Sequence, residues 1–164
     1  MTLASTLYNT ILCSENPRGI FRNCIVSGTP KPGVVMQLKS STEPVNNVWT
    51  YEVYAPGADG GRPKGPVAVL LEDSIQGKTI TDAYVSGSRG HLYFPLPGDL
   101  LLMQLQDVAG TADTHAIGEK LIIDNSTGTL IATTGSPQTE AFVVMETMTA
   151  LSADTLALVM FSCY

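Results

Sequence analysis

Charge, histidine, cysteine and long apolar runs are all scarce in this 164-residue chain, where Asp, Glu, Lys and Arg make up only 15% of residues. Such low charge, alongside many Thr, Ser, Gly and Pro, excludes a solvated helical bundle and fits an all-β protein. The three cysteines, Cys13, Cys24 and Cys163, are widely spaced and form no Cys-x-x-Cys pair. That excludes a disulfide framework and a zinc site, and leaves buried free thiols in a reducing compartment. No apolar run approaches the roughly 20 residues of a membrane-spanning helix. No charged start followed by an apolar core marks a secretory leader. A soluble protein made in a cytoplasm is expected, with no membrane partner.

The charge that is present is unevenly placed. Residues 1–65 hold six basic residues (Arg18, Arg22, Lys31, Lys39, Arg62, Lys64) against four acids, a balance of +2. Residues 66–164 hold three basic residues against eleven acids, a balance of −8. An acidic body repels phosphate, so nucleic acid is not an expected partner. The mildly basic N-terminal part suits a negatively charged one.

What is there reads as short strands and turns. Pro97-Gly98-Asp99 opens the apolar run Leu100–Leu105, and Ile117-Gly118-Glu119 opens a run that ends at Asp124. Asn125–Gly128 then turns the chain back into Thr129–Thr134. Gly supplies the backbone angles of a tight turn, and the acid can accept from nearby amides. Val34–Leu38, Val48–Tyr54, Val67–Leu71, His91–Phe94, Glu140–Met148 and Thr155–Cys163 are further strand candidates, with Ile20–Val26 a weak one. Thr2–Leu12 fits a short helix or a strand equally. Nine or ten short strands make a compact small β-barrel or sandwich. Residues 1–30 are expected to form an extended N-terminal arm that gains order from a partner, and residues 31–164 the β-rich body. The Pro- and Gly-rich stretch 55–66 marks a long loop or a sub-boundary. No repeat with a period of 20–50 residues is visible, although the two Gly-acid strand openings are alike. The apolar C-terminal strand would invite aggregation as a free edge, so it is expected in the core or at a subunit interface.

Reaction chemistry has little support. Asp113-Thr114-His115 offers one pair of metal ligands on a loop with no third in view, so an exposed His115 and a strand-borne His91 without metal are expected. Gly87-Ser88-Arg89-Gly90 falls short of a nucleophile elbow, and Ser88 reads as a turn residue. Adjacent Glu72 and Asp73 point to different faces if extended, unlike the facing carboxylates of a glycosidase. Trp49, Tyr51, Tyr54, Tyr93 and Phe94 are expected to fill a core rather than to stack on a ligand. Asn125-Ser126-Thr127 matches a glycosylation triplet without a secretory context.

The order of these pieces resembles the head decoration (capsid cement) proteins of tailed bacteriophages. The matching residues are Pro32-Gly33-Val34-Val35-Met36-Gln37-Leu38, then Val67–Leu71 running into Glu72-Asp73-Ser74-Ile75-Gln76-Gly77-Lys78-Thr79-Ile80-Thr81-Asp82-Ala83-Tyr84. Pro97-Gly98-Asp99, Ile117-Gly118-Glu119-Lys120-Leu121 and Thr127-Gly128-Thr129-Leu130 follow. The resemblance covers roughly residues 30–164. It implies a non-enzymatic virion protein with no cofactor, made in the host cytoplasm and seated on the outer capsid surface. It further implies a homotrimer that binds and cements neighbouring major capsid protein subunits. The capsid contacts are then expected from the arm, through Leu3, Leu7, Tyr8, Ile11, Arg18, Phe21 and Arg22, and from the loop carrying Arg62 and Lys64. Deleting residues 1–26 is expected to leave a folded body that attaches poorly. The alternatives are another phage structural component, such as a head fibre base or tail protein, or a β-barrel small-ligand binder.

Overall fold

The computed structural model describes residues 10–39, 44–55, 66–106, 113–124, 126–132, 141–151 and 155–162. Nearly all of their regular structure is β. Among them, helix is limited to one 3₁₀ turn at Ser74–Gln76. The strands are β1 (Ile20–Val26), β2 (Val35–Leu38), β3 (Thr50–Val53), β4 (Ala68–Leu70), β5 (Arg89–Phe94), β6 (Leu100–Leu105), β7 (Asp113–His115), β8 (Lys120–Ile123), β9 (Leu130–Ala132), β10 (Phe142–Val144), β11 (Met148–Leu151) and β12 (Thr155–Phe161).

Ten of these strands close into two five-stranded barrels, ordered β1-β3-β2-β4-β5 and β6-β9-β8-β10-β12, and β7 pairs with β11 in a separate ribbon. The two barrels share one topology. Counted along the chain, β1 corresponds to β6, β2 to β8, β3 to β9, β4 to β10 and β5 to β12. Every antiparallel pairing of the first barrel has its counterpart in the second. Each closes through a short parallel seam, β1 with β3 at Ile25↔Thr50 and Val26↔Tyr51, and β6 with β9 at Leu105↔Leu130. The repeat is one of pairing pattern, which explains why no sequence period announces it.

Packing follows from strand alternation. Ala68 and Leu70 of β4 point into the first barrel with Cys24, Val26, Met36, Tyr84 and Leu92. Val67, Val69 and Leu71 point the other way, into a core shared with Leu101, Met103, Leu121, Phe142 and Val159 of the second barrel. A strand buried on both faces reads as an unbroken apolar run, as Val67–Leu71 does. The apolar C-terminal run is likewise internal: β12 lies between β6 and β10 within the chain, with no subunit interface needed to cover it.

Two motif glycines join the barrels. At Gly33 (φ +83°) the N–H donates to Leu70 O and the carbonyl accepts from Gln104 N, while an added Cβ would lie 2.9 Å from Leu102 O. Gly128 (φ +65°) accepts from Val35 N, and an added Cβ would lie 2.6 Å from Val35 O. Only a residue without a side chain admits both the conformation and the approach.

The N-terminal part departs from the expected arm. Ile20–Val26 pairs with β5 from Ile20↔Phe94 to Ile25↔Arg89, so it is a stave of the first barrel. Farther upstream, Leu102 N donates to Ile11 O and Cys13 N to Leu100 O, with Leu12 bridged to Leu101. Ile11 is fully buried, and its N–H donates to Glu72 Oε2 (2.9 Å). Residues 1–9 lie outside the described residues, as do most of the loop 55–66 and Cys163. The stretch expected as one strand from Glu140 to Met148 is divided between β10 and the start of β11.

Candidate docking surface

Turn chemistry shapes the floor of the site. The Gly-acid pairs fold alike. Asp99 N donates to Leu96 O while Leu96 N donates back to Asp99 Oδ2 (2.8 Å), and Glu119 N donates to Ala116 O while Ala116 N donates back to Glu119 Oε2 (3.2 Å). Asp99 is buried and also accepts from the Tyr93 hydroxyl (2.6 Å) and the Arg18 backbone N–H (3.5 Å). Burial, reinforced by the hydrogen bond to Asp99, pushes the Tyr93 phenol up to about 12. The Tyr93 oxygen in turn accepts from Gly19 N (2.7 Å), and an Arg18 guanidinium N–H donates to Pro97 O. The entry to β1 is thereby fixed over the Pro97-Gly98-Asp99 turn.

This anchoring holds the first half of β1 at the surface. Cys24 and Val26 reach the barrel interior, but Ile20 and Phe21 remain 59% and 56% exposed. Phe21 lies on Tyr93, with ring centroids 4.9 Å apart. Beside them opens a groove of about 690 Å³, floored by Tyr51, Val67, Phe94, Pro95 and Phe161 and flanked by Arg18 and Arg22. A second notch of about 470 Å³ adjoins it, between Ile20–Asn23 and Asn47–Trp49, sharing Ile20, Arg22 and Tyr51 with the first. Trp49 stands 43% exposed at its wall. Burial raises the Tyr51 phenol, and the Arg22 charge partly offsets this. Among the described residues neither Arg18 nor Arg22 has a carboxylate within ion-pair distance. The surface thus combines clustered exposed apolar side chains with two guanidinium groups that have no carboxylate partner among the described residues.

Of the residues expected to touch a capsid, Arg18 and Arg22 line this groove, and Phe21 lies with Arg22 at the adjoining notch. It removes Ile11, whose place is in the core shared by the barrels. Leu3, Leu7, Tyr8, Arg62 and Lys64 lie outside the described residues. Trp49, Tyr51 and Phe94 join the surface without having been expected there. Tyr54 and Tyr93 are fully buried, so the five aromatics do not make a common platform. The alternation of Val48–Tyr54 placed Trp49 and Tyr51 on one face, but not which face stays open.

The polar residues weighed for chemistry have other local roles. His115 is a correction: it is buried on β7, with Nδ1 3.0 Å from Glu119 Oε2, rather than exposed on a loop. His91 Nε2 lies 3.4 Å from Asp73 Oδ2, and Asp73 Oδ1 caps the 3₁₀ turn by accepting from Ile75 N and Gln76 N. Ser88 Oγ donates to Val85 O within a turn. Among the described residues no group of three or more His, Cys, Asp or Glu side chains is placed to hold a metal. Burial pushes the thiols of Cys13 and Cys24 up to about 12.

An all-β double barrel with an apolar, arginine-flanked groove is therefore the class of molecule in hand. No protein-family model matches the chain, and no curated protein matches it. Among solved structures, it is similar to the N base of the head fibre protein gp8.5 of bacteriophage phi29, with a TM-score of 0.49 and 10% sequence identity over 88% of this chain and 94% of that one.

Proposed function

We propose that this is a structural protein of a phage virion, and within that class a capsid decoration protein. It attaches to the outside of the head, binds the major capsid protein and braces neighbouring subunits, acting without catalysis. The observation that carries the reading is the anchored surface around β1, where Ile20 and Phe21 stay more than half exposed beside Arg18 and Arg22. An exposed apolar patch of this kind is costly unless covered. The resemblance of the motif order to that of decoration proteins supports the same reading. So does the use of Gly33 and Gly128 as joints, which make two barrels into one stiff body. Repeated attachment at equivalent sites then raises shell stability by mass action. Assembly as a homotrimer over three-fold positions belongs to this proposal.

Cosedimentation with phage heads lacking the protein tests the reading. The wild-type chain is expected to pellet with the heads, and Arg18→Glu/Arg22→Glu to lose about tenfold or more in affinity, as when rim charges are reversed against acidic partners. Electron microscopy of the decorated heads then separates knobs at three-fold positions from fibres or tail density. Absence of binding to heads would sink the proposal.

A further inference from the structure

The parallel seams of the two barrels are completed differently. In the second barrel, the edge of β6 that faces β9 bonds to β9 only near its end, where Gln106 N donates to Leu130 O (2.9 Å). Upstream, the same edge is taken up by other parts of the chain. Gln104 N donates to Gly33 O (2.8 Å), Leu102 N to Ile11 O (2.7 Å), and Leu100 O accepts from Cys13 N (2.9 Å). Ile11–Cys13 thus lies along β6 as an added strand.

The first barrel has the same splayed seam. Ile25 N donates to Trp49 O (3.0 Å) and Ser27 N to Tyr51 O (2.7 Å), while Val26 N donates to Ser88 O on the other side. Alternation along an antiparallel strand then aims the N–H and C=O of Asn23 and Phe21 away from β5, toward the seam. The register of β1 with β3 covers only Ile25 and Val26, so among the described residues nothing pairs with Phe21 or Asn23 there. The notch between Ile20–Asn23 and Asn47–Trp49 occupies that position.

We propose that this seam takes up an extended segment of a neighbouring protein, added as a strand along Phe21 and Asn23, with carboxylates directed to Arg18 and Arg22 and apolar side chains set against Phe21 and Trp49. The second barrel shows what a completed seam requires: an extended backbone. Exposed Phe21 and Trp49 specify apolar partners, and the two guanidinium groups without a carboxylate specify acidic ones. Backbone pairing supplies affinity and the alternating side chains supply selectivity. Only the naming of a virion protein as donor of the segment rests on the function proposed above.

The test uses the isolated chain and no phage heads, so it fails or succeeds independently of that function. A capped peptide alternating isoleucine and glutamate is titrated into the isotope-labelled protein at millimolar concentration, with an isoleucine–lysine peptide as comparison. The acidic peptide is expected to shift the amide resonances of Phe21 and Asn23 and slow their hydrogen exchange. It is expected to bind about tenfold tighter than the basic one, a preference that exposed ion pairs joined by backbone pairing can supply. Arg22→Glu, at an exposed position, should reverse the preference. Unchanged Phe21 and Asn23 amides, or equal binding of both peptides, overturns the proposal.

Discussion

Buried carboxylates decide the local geometry of this molecule. Asp99 accepts from Tyr93, Leu96 and Arg18 at once. Asp99→Ala leaves the Tyr93 hydroxyl and the Leu96 amide without their acceptor. At about 1–3 kcal/mol for each buried group left unsatisfied, the loss should be about 2–6 kcal/mol, read from urea unfolding. Tyr93→Phe removes the donor to Asp99 and the acceptor of the half-buried Gly19 N–H but leaves Asp99 its amide partners, so it should cost less. A neutral Asp99→Ala would show that the turn holds itself without the acid. The thiols and Tyr93 contribute to an alkaline limit, as does Tyr84, whose phenol is also raised by burial. Cys13, Cys24 and Tyr93 are all raised by burial to about 12, from ordinary values of 9.0, 9.0 and 10.0. The folded state therefore holds these protons where the unfolded chain releases them. Their contribution is complete below pH 9 and is lost as pH rises from 9 through 12. Chemical denaturation across that range should show a falling midpoint, and Cys24 should resist alkylation at pH 8 until the chain unfolds.

At the scale of elements, the N-terminal segments prove structural. Ile20–Val26 spans the length of β5, so removing residues 1–26 takes a stave from a closed barrel along with the Ile11–Cys13 strand on β6. The truncated chain should fail to show a cooperative unfolding transition, in contrast to the expectation that the body would fold without them. A cooperative, wild-type-like melt would contradict this. Gly128→Ala places a methyl group 2.6 Å from Val35 O at φ +65°. Left-handed strain of about 1–2 kcal/mol adds to overpacking of about 1–3 kcal/mol, so a loss of about 2–5 kcal/mol is expected. What the sequence made legible follows the same physics. Val67–Leu71 was readable because burial on both faces leaves an unbroken apolar run. The Gly-acid turns were readable because their bonds are local. The bounds of β1 were readable as a weak strand over Ile20–Val26, but its place as a barrel stave rather than part of an arm was not, because its partner β5 lies far along the chain. His115 was misplaced because the pairing that buries it, Met148↔His115, is also distant. Arg18, Phe21 and Arg22 stand out in the sequence as members of the N-terminal arm from which the resemblance leads one to expect capsid contacts. Trp49 and Phe94 were missed because alternation groups residues on a face without saying which face a groove leaves open.

The whole molecule is a duplicated barrel whose halves are not independent. Their correspondence is complete in strand pairing, yet the larger hydrophobic core belongs to both at once. Val35, Val69, Leu71 and Tyr93 from the first barrel pack with Leu101, Leu121, Phe142 and Val159 from the second. Each barrel also borrows backbone from outside itself: β6 bonds to Ile11 and Gly33, and Val35 bonds to Gly128. Separating the barrels would expose apolar surface at about 25 cal/mol per Å² and leave those amides without partners, so a state with one barrel folded is strongly disfavoured. The chain should therefore unfold in a single transition, with calorimetric and van't Hoff enthalpies equal and with Trp49 fluorescence, which reports on the first barrel, coinciding with far-ultraviolet circular dichroism. Two resolved transitions would mean that the barrels are joined only as neighbours. Such a joint would transmit little force between two attachment points, and a brace across capsid subunits needs a body that does transmit it.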